Sequence, residues 1–525
     1  MLRAFLEAPM AEPTARTDHS FSLMSFLPSV ADLGDARLNA RFNEMAERCL
    51  TSAKGSLPAM FGQKGAKAAQ RFMSNPRVDV LDLRQVLYAC SQENMRQRKT
   101  GSVLSIFDPT LLDFTAQDWK QGRMPIGDHV GLGYEWLNAL LIEEDAGRVL
   151  GVGHQVVSSL YGLDDDLEYL AAVTKLELRA KTLRNHANQF LVVAEAVDQR
   201  LPDDVEVIHV ADREFDDGLA LRSRIKAKPR RHFVIRGNDT RMVQVRDSRW
   251  LPGSLRHGKG QKELDDNPEH LTNVYLSDLV EHLPCPGSRQ VPLDTKGRVC
   301  STLQNVARIA RLEVGAVPIR LARKSKRGER LHVEEKPVWL NLVVVREVKP
   351  SPAEQPVLWL LLTDLPVDTA KQIERVLSIY CRRWRTEEFF RTVKDAMKIE
   401  KSELDDPHST ARLLVFATIK AMFLDELRFR AQIPAGVKLT ADQRRELKAG
   451  ARKARELELA RRNEGKPIPA LSARERGVMA LGLIAEIGAW TGTSLGNYVL
   501  LRGLPIFLHD VAEGRYAWLV NGDMG

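Results

Sequence analysis

An α/β core, interrupted by a β-rich insertion and flanked by helical ends, is the fold this sequence predicts. Three observations predict it. Between Ser102 and Ala211 the chain reads as three strands, a helix and a strand. From about 220 to 355 the pattern changes to many short β-type runs, separated by Pro/Gly-rich turns and basic runs. Residues before about 81 and after about 434 return to helical apolar spacing. With 525 residues, 44% of them hydrophobic, the chain can bury a large core. That length gives a prior of about two to four domains.

The elements follow in order. Asp35–Arg48 carries Leu38, Phe42 and Met45 at helical spacing, with Arg37, Arg41 and Arg48 elsewhere around the helix. Lys54-Gly55-Ser56 breaks it. A second helical stretch carries Lys64, Lys67 and Arg71 and ends near Asn75-Pro76. The first core strand is Ser102–Phe107, ending at Asp108-Pro109. Leu137–Ile142 and Val149–Ser158 form a hairpin through Asp145-Ala146-Gly147. Residues around 165–199 are helical and amphipathic. Val205–Ala211 is a buried-type strand with Asp212 at its end and His209 within it as a core residue. HFVIR, NVYLSDLV and VWLNLVVVREV are β-type runs of the insertion, and Arg222–Arg231 and Arg323–Arg330 are basic runs for DNA backbone or solvent. An apolar strand resumes at Val357–Thr363, and Asp368 is a candidate N-cap for a long helix. Residues 438–466 are highly charged and read as a mobile linker or a solvated helix face. The glycine-punctuated apolar stretch Leu481–Leu508 closes the chain.

Composition narrows the function classes. The formal net charge of +8 points to a polyanionic partner. Five cysteines, at 49, 90, 285, 300 and 381, are dispersed, with no C-x-x-C and no zinc spacing. Neither a structural zinc nor a disulfide framework is expected, and reduced cytosol is the natural compartment. The N-terminus lacks a continuous apolar region, so no secretory signal is expected. No apolar run is long enough for a transmembrane helix.

The chemistry concentrates in Tyr380–Lys394, YCRRWRTEEFFRTVK. On one α-helix, Tyr380, Arg383, Glu387 and Lys394 fall near 0°, 300°, 340° and 320°, a stripe roughly 60° wide. Arg391 widens it slightly, and Glu388 leaves it. Asp108 and Asp212 stand at strand ends, and adjacent strands can bring two such carboxylates together. Glu387, on a helix over the sheet, can bring a third. Three gathered carboxylates repel one another unless cations neutralise them. Mg²⁺ or Mn²⁺ suits all-oxygen donors, and two such ions per site perform phosphodiester displacement. Arg383, Arg391 and Lys394 offer phosphate contacts. Taken singly, the aspartates also read as turn residues and Trp359 as core packing. Arg37, Arg41, Lys64, Lys67 and Arg71 read equally as ordinary surface charge.

The ordered set of motifs resembles the DDE transposases of bacterial insertion sequences, family four, on the transposon-five branch. Y-x2-R-x3-E-x6-K carries the resemblance. LGDARLNARF and RFMSNPRV are similar to the family's end-binding domain, FDPTLLDF and ADRE to its two aspartate motifs, and WLLLT to the segment before the glutamate helix. The resemblance implies a ribonuclease-H-like core at 82–433 with an insertion at about 220–355. It implies a DNA-end-binding domain at 1–81 and a helical dimerisation domain at 434–525. Asp108, Asp212 and Glu387 would ligate Mg²⁺, with Mn²⁺ able to substitute. Cleavage would pass through a DNA hairpin, and the 3′-OH ends would join target DNA. Trp359, and secondarily Trp384, would stack on an extruded base, while Tyr380, Arg383 and Lys394 hold its flanking phosphates. Arg37, Arg41, Lys64, Lys67 and Arg71 would contact element ends. The partners would be double-stranded DNA, as inverted-repeat ends and target, and a second copy of the chain. The site would be cytoplasmic and nucleoid-associated, with no membrane partner. Two other readings stay open: an inactive DNA-binding regulatory relative, and a ribonuclease-H-like nuclease without strand transfer.

Overall fold

The computed structural model of the protein describes residues 32–51, 56–96, 101–127, 130–163, 186–218, 221, 224, 229–246, 271–293, 308–321, 338–350, 356–433, 439–490, 495 and 497–520. The chain is mixed α/β and divides into two compact units. One gathers residues 1–100, 109–166 and 385–525, and the other gathers 101–108 and 167–384. Among the described residues no helix is long and apolar enough to cross a membrane.

In chain order, α1 (Ala36–Thr51), α2 (Leu57–Met73) and α3 (Val80–Arg96) come first. Next are β1 (Ser102–Asp113), β2 (Met124–Ile126), β3 (Gly131–Glu143), β4 (Val149–Ser159) and β5 (Gly162–Leu163). Then come α4 (His186–Arg200), β6 (Glu206–Ala211), β7 (Arg231–Arg236), β8 (Met242–Val245), β9 (Thr272–Tyr275) and α5 (Leu276–His282). The strands β10 (Gly287–Leu293), β11 (Arg308–Leu321), β12 (Trp339–Glu347) and β13 (Leu358–Thr363) follow. The chain closes with α6 (Ala370–Cys381), α7 (Arg385–Met397), α8 (Pro407–Arg430), α9 (Ala441–Glu464), α10 (Ala473–Ile487), α11 (Asn497–Ala512) and α12 (Ala517–Val520).

The unit holding 101–108 and 167–384 is built on parallel strands. β1 pairs β6 in parallel from Ser102↔Glu206 to Ile106↔Val210, and β6 pairs β7 in parallel from Val207↔Arg231 to Ala211↔Ile235. From β7 the ladder continues antiparallel through β13, β12, β11, β8 and β9, with β10 also on β11. The near-continuous apolar runs of β1, β6 and β7 are buried, as strands covered on both faces require. Phe107 packs against Phe215 with ring centroids 4.7 Å apart, and Phe190 lies 6.0 Å from Phe215. HFVIR therefore continues the parallel ladder. NVYLSDLV is strand only to Tyr275, because the Asp278 carboxylate accepts the Tyr275 N–H at 2.8 Å and starts α5.

Asp198, on α4, ties this unit together. Its buried carboxylate takes His209 Nε2 of β6 at 2.9 Å, Arg224 Nη2 at 2.5 Å and Arg231 Nε of β7 at 3.1 Å. Burial opposes its ionisation, but His209 and Arg224 prevail and hold it at about 2. Burial pushes His209 below its usual range, so it is the core residue its strand position predicts. Arg224 and Arg231 belong to the basic run 222–231 and are spent on this internal contact. The run 323–330, residues 165–185 of the expected amphipathic helix, and Lys54-Gly55 lie outside the described residues.

In the other unit, β2, β3, β4 and β5 form an antiparallel meander. The β3–β4 turn places Gly147 at φ +66°, a left-handed position suited to glycine. α3 docks on β4: Ser91 Oγ accepts the Val152 N–H at 2.8 Å, and Asn94 donates to the Leu150 carbonyl at 2.8 Å. The buried helix α8 receives the N-terminal helices through Phe42–Phe416, 5.3 Å apart. Arg412 of α8 donates to the Met73 and Val78 carbonyls at 2.5 and 2.8 Å. Gly503 lies so close to the Ile484 carbonyl that a Cβ there would sit 1.8 Å from it, which lets α11 seat against α10. The charged stretch 438–466 contains a capped helix, α9, in which Thr440 and Gln443 form a capping box.

Candidate functional site

The strand registers set three charged residues at one level. Ile106 pairs with Val210, so Asp108 matches Asp212 two residues further on. Ala211 pairs with Ile235, so Asp212 matches Arg236. Each of three adjacent parallel strands thus follows an apolar run with a charge at the same height. Asp108 is not a strand end as expected, since β1 continues through it to Asp113. Pro109 is tolerated there because it lies beyond the last β1–β6 pair, where that ladder needs no N–H. Asp212 does end β6. Its Oδ1 accepts the Arg213 N–H at 2.7 Å and caps a 3₁₀ turn over Arg213–Phe215.

A buried guanidinium joins the two acids. Arg383 Nη1 lies 3.2 Å from Asp108 Oδ2, and its Nη2 lies 3.7 Å from Asp212 Oδ2. Arg236 Nη1 lies 3.7 Å from Asp212 Oδ1. The Tyr380 hydroxyl donates to Asp212 Oδ1 at 3.5 Å. Burial, and then the neighbouring Asp212 charge, pushes the Tyr380 phenol up. The Tyr380 ring packs 5.5 Å from Trp359, and both are buried. Trp384 is partly exposed, and Arg383 lies over its ring at 4.6 Å. Arg236 was missed by sequence reasoning because HFVIR was assigned to the insertion. The matching apolar-then-charge endings of SIFD, HVAD and VIR were the available signal.

Two expectations about the following helix are corrected. Its N-cap is Thr369, not Asp368: the Thr369 hydroxyl accepts the Gln372 N–H, and Gln372 returns the bond. The single long helix is instead α6, a 3₁₀ turn over Arg382–Trp384, and α7. The one-helix phasing therefore does not extend across Tyr380–Lys394. No Pro or Gly lies in Arg382–Trp384. The turn coincides with Arg383 reaching the two aspartates.

α7 belongs to the other unit. Its buried side carries Phe389, Phe390, Val393 and Met397, with Phe390 5.0 Å from Trp136 of β3. Glu387 is half-buried, Arg391 exposed, and both share a face with Lys394. Lys394 Nζ donates to the Leu111 carbonyl of β1 and to Glu400 Oε1 at 3.2 Å. Glu388 pairs with Arg385, which also reaches Asp425 at 3.7 Å. Burial pushes the Glu388 carboxyl up.

The N-terminal helices present the expected cations. Arg37 pairs with Asp35 at 3.6 Å and Arg41 with Glu44 at 2.7 Å. Lys64, Lys67 and Arg71 are exposed on α2 beyond the Gly62 kink, near 0°, 300° and about 340° around its axis. Residues 29–78 match the family of transposase DNA-binding domains. The transposase DNA-binding match covers α1, α2 and their Arg37, Arg41, Lys64, Lys67 and Arg71. It makes DNA a supported partner and a DNA-binding transposase the supported class.

The donor chemistry of the Asp108–Asp212 pair fits a hard divalent cation. Both groups are carboxylates, they come from adjacent strands, and a cationic side chain already bridges them. Among the described residues, no group of three or more His, Cys, Asp or Glu is gathered to hold a metal.

Proposed function

We propose that this chain is a cut-and-paste DNA transposase of the DDE kind, with Asp108, Asp212 and Glu387 as its catalytic carboxylates. The observation that carries the reading is the Asp108–Asp212 pair, at matching levels of adjacent parallel strands and bridged by buried Arg383. A transposase DNA-binding segment in the same chain supports it. The ribonuclease-H-like core at 82–433, its insertion at about 220–355 and the end domains 1–81 and 434–525 belong to the same proposal.

Mg²⁺, with Mn²⁺ as a substitute, would be held by Asp108, Asp212 and Glu387, and two such ions supply activation of an attacking oxygen and stabilisation of a leaving one. The chain's own residues prepare that site. Arg383 offsets the repulsion between the two aspartates and fixes their spacing. Tyr380 and Arg213 N–H orient the Asp212 carboxylate. Arg391, exposed on α7, is available to a DNA phosphate. Lys394 holds a β1 carbonyl and Glu400, so its first task is to seat α7. Hairpin formation requires an extruded base. Trp384, partly exposed beside Arg383, is better placed to stack on it than buried Trp359. A homodimer on paired inverted-repeat ends completes the proposal.

The test is a plasmid carrying the DNA that flanks this gene, incubated with the protein and Mg²⁺. Hairpin-capped excision products, and 3′ ends joined to new target sequence, are expected. Cut ends that never join a target would instead mark a nuclease. Tight binding without cleavage would mark a regulatory relative.

A further inference from the structure

The charged stretch 438–466 has no part in the site above. Its helix α9 buries Leu447, Gly450, Ala451 and Ala454. Gly482 of α10 admits the Leu447 carbonyl so closely that a Cβ would sit 2.3 Å from it. The side next to this buried one presents Lys448, Arg452, Arg455 and Arg462, all exposed. At about 100° per residue they fall near 0°, 40°, 340° and 320°, a stripe about 80° wide. No acid falls inside it, and the nearest, Glu456 and the buried Glu458, lie near 80° and 280° by the same rotation. Arg455 pairs with Glu486 of α10. Lys448, Arg452 and Arg462 have no ion-pair partner among the described residues.

We infer that this stripe is a second DNA-binding surface, one that holds the phosphate backbone of a duplex without reading its sequence. It is separate in the chain from the segment matched at 29–78. The inference rests on the proposed function only in taking DNA as the polyanion. From Lys448 to Arg462 the helix rises about 21 Å. That is room for about six phosphates of one strand. Long flexible cations without an aromatic or amide partner suit phosphates, not base edges. A membrane surface fits less well. An interfacial helix needs an unburied apolar face, and the apolar face of α9 is already packed inside. Leu459 is its exposed large hydrophobic residue. A duplex held here would be the natural partner for a reaction that joins one DNA to another.

The experiment uses the full chain and a fluorescent short duplex of scrambled sequence, with binding followed across a salt series. The variant Lys448→Gln, Arg452→Gln and Arg462→Gln is expected to weaken binding roughly tenfold and to flatten the log–log salt slope by about 2 to 3. The charge-keeping variant Lys448→Arg, Arg452→Lys and Arg462→Lys is expected to bind as the wild type does. An unchanged slope in the glutamine variant would overturn the inference. So would equal losses in both variants, because charge would then not be the cause. Loss of binding to phosphatidylserine vesicles with duplex binding intact would also overturn it. None of these readouts needs cleavage, so a chain that never cuts DNA can still bear the inference out, and an active transposase can still refute it.

Discussion

Two clusters of acid and cation share the strands β6 and β7, and they are built in opposite ways. Asp198 sits with three cationic or imidazole groups at 2.5 to 3.1 Å, and its side chain is 3% exposed. Asp108 and Asp212 share Arg383 at 3.2 and 3.7 Å, with side chains 15% and 28% exposed. The first cluster puts one acid among several donors at short range, which is how a buried charge is made tolerable. The second sets two acids around a shared Arg383, with Arg236 also 3.7 Å from Asp212, at longer range and leaves them partly open to solvent. The same element types thus yield a rigid internal tie in one place and a cation-seeking pair in the other. The difference lies in acid-to-cation ratio and access, not in residue type.

The comparison can be broken most forcefully at Asp198. Asp198→Asn leaves Arg224 and Arg231 buried without their carboxylate. It is expected to cost about 3–5 kcal/mol in urea unfolding. Asp212→Asn, by contrast, is expected to change stability by no more than about 1 kcal/mol, since removing one of two neighbouring acids also removes repulsion. Equal losses in the two variants would erase the distinction.

A third buried charge sharpens the picture. Lys120 donates to the Leu404 carbonyl and lies 4.2 Å from the Phe114 ring centre. Burial is the main cause that lowers it to about 8 from 10.5. Between those values the unfolded chain holds a proton that the folded one does not, so stability rises as pH rises through that window. The rise, up to about 3 kcal/mol across the full window, is measured as urea midpoints at a series of pH values above 8. Lys120→Met is expected to flatten that rise, and an identical pH profile in the variant would rule out Lys120 as its source.

A smaller effect is expected at the open pair. Arg383→Met, in magnesium-free buffer, is expected to lose about 2 kcal/mol because two neighbouring carboxylates lose their shared cation. Added Mg²⁺ should recover part of that loss, whereas it should not rescue Asp198→Asn. Thermal melts with and without Mg²⁺ decide this, and rescue of neither variant would argue against a cation site at the pair. Smallest of all, Trp359→Phe is expected to cost about 1 kcal/mol and leave hairpin formation intact, as packing against Tyr380 predicts. Loss of hairpins in that variant at unchanged stability would return the stacking role to Trp359.

Much of the strand framework was legible because its signals are local. The apolar runs of β4, β6 and β13, and the Asp145-Ala146-Gly147 turn, needed no tertiary information. The helix break at Arg382–Trp384 was not legible, because no Pro or Gly marks it and it coincides with a contact 275 residues away in sequence, Arg383 to Asp108. The cap at Thr369 was missed by one residue, where Asp368 and Thr369 are both good cap types and only Thr369 has Gln372 three residues on. Arg236 was hidden by parallel register, which a sequence shows only once the strands are known to be neighbours. The charged helix α9 could not be told from a linker, since its buried side consists mainly of small residues whose packing needs the close approach at Gly482.

The most direct measurement is single-turnover cleavage of DNA bearing the gene's own flanking ends, in Mg²⁺, for wild type, Asp108→Asn and Asp212→Asn, with end binding followed in parallel. The account predicts a loss of about a thousandfold or more in cleavage for each variant, with end binding within about twofold of wild type. Cleavage at the wild-type rate by either variant would contradict it.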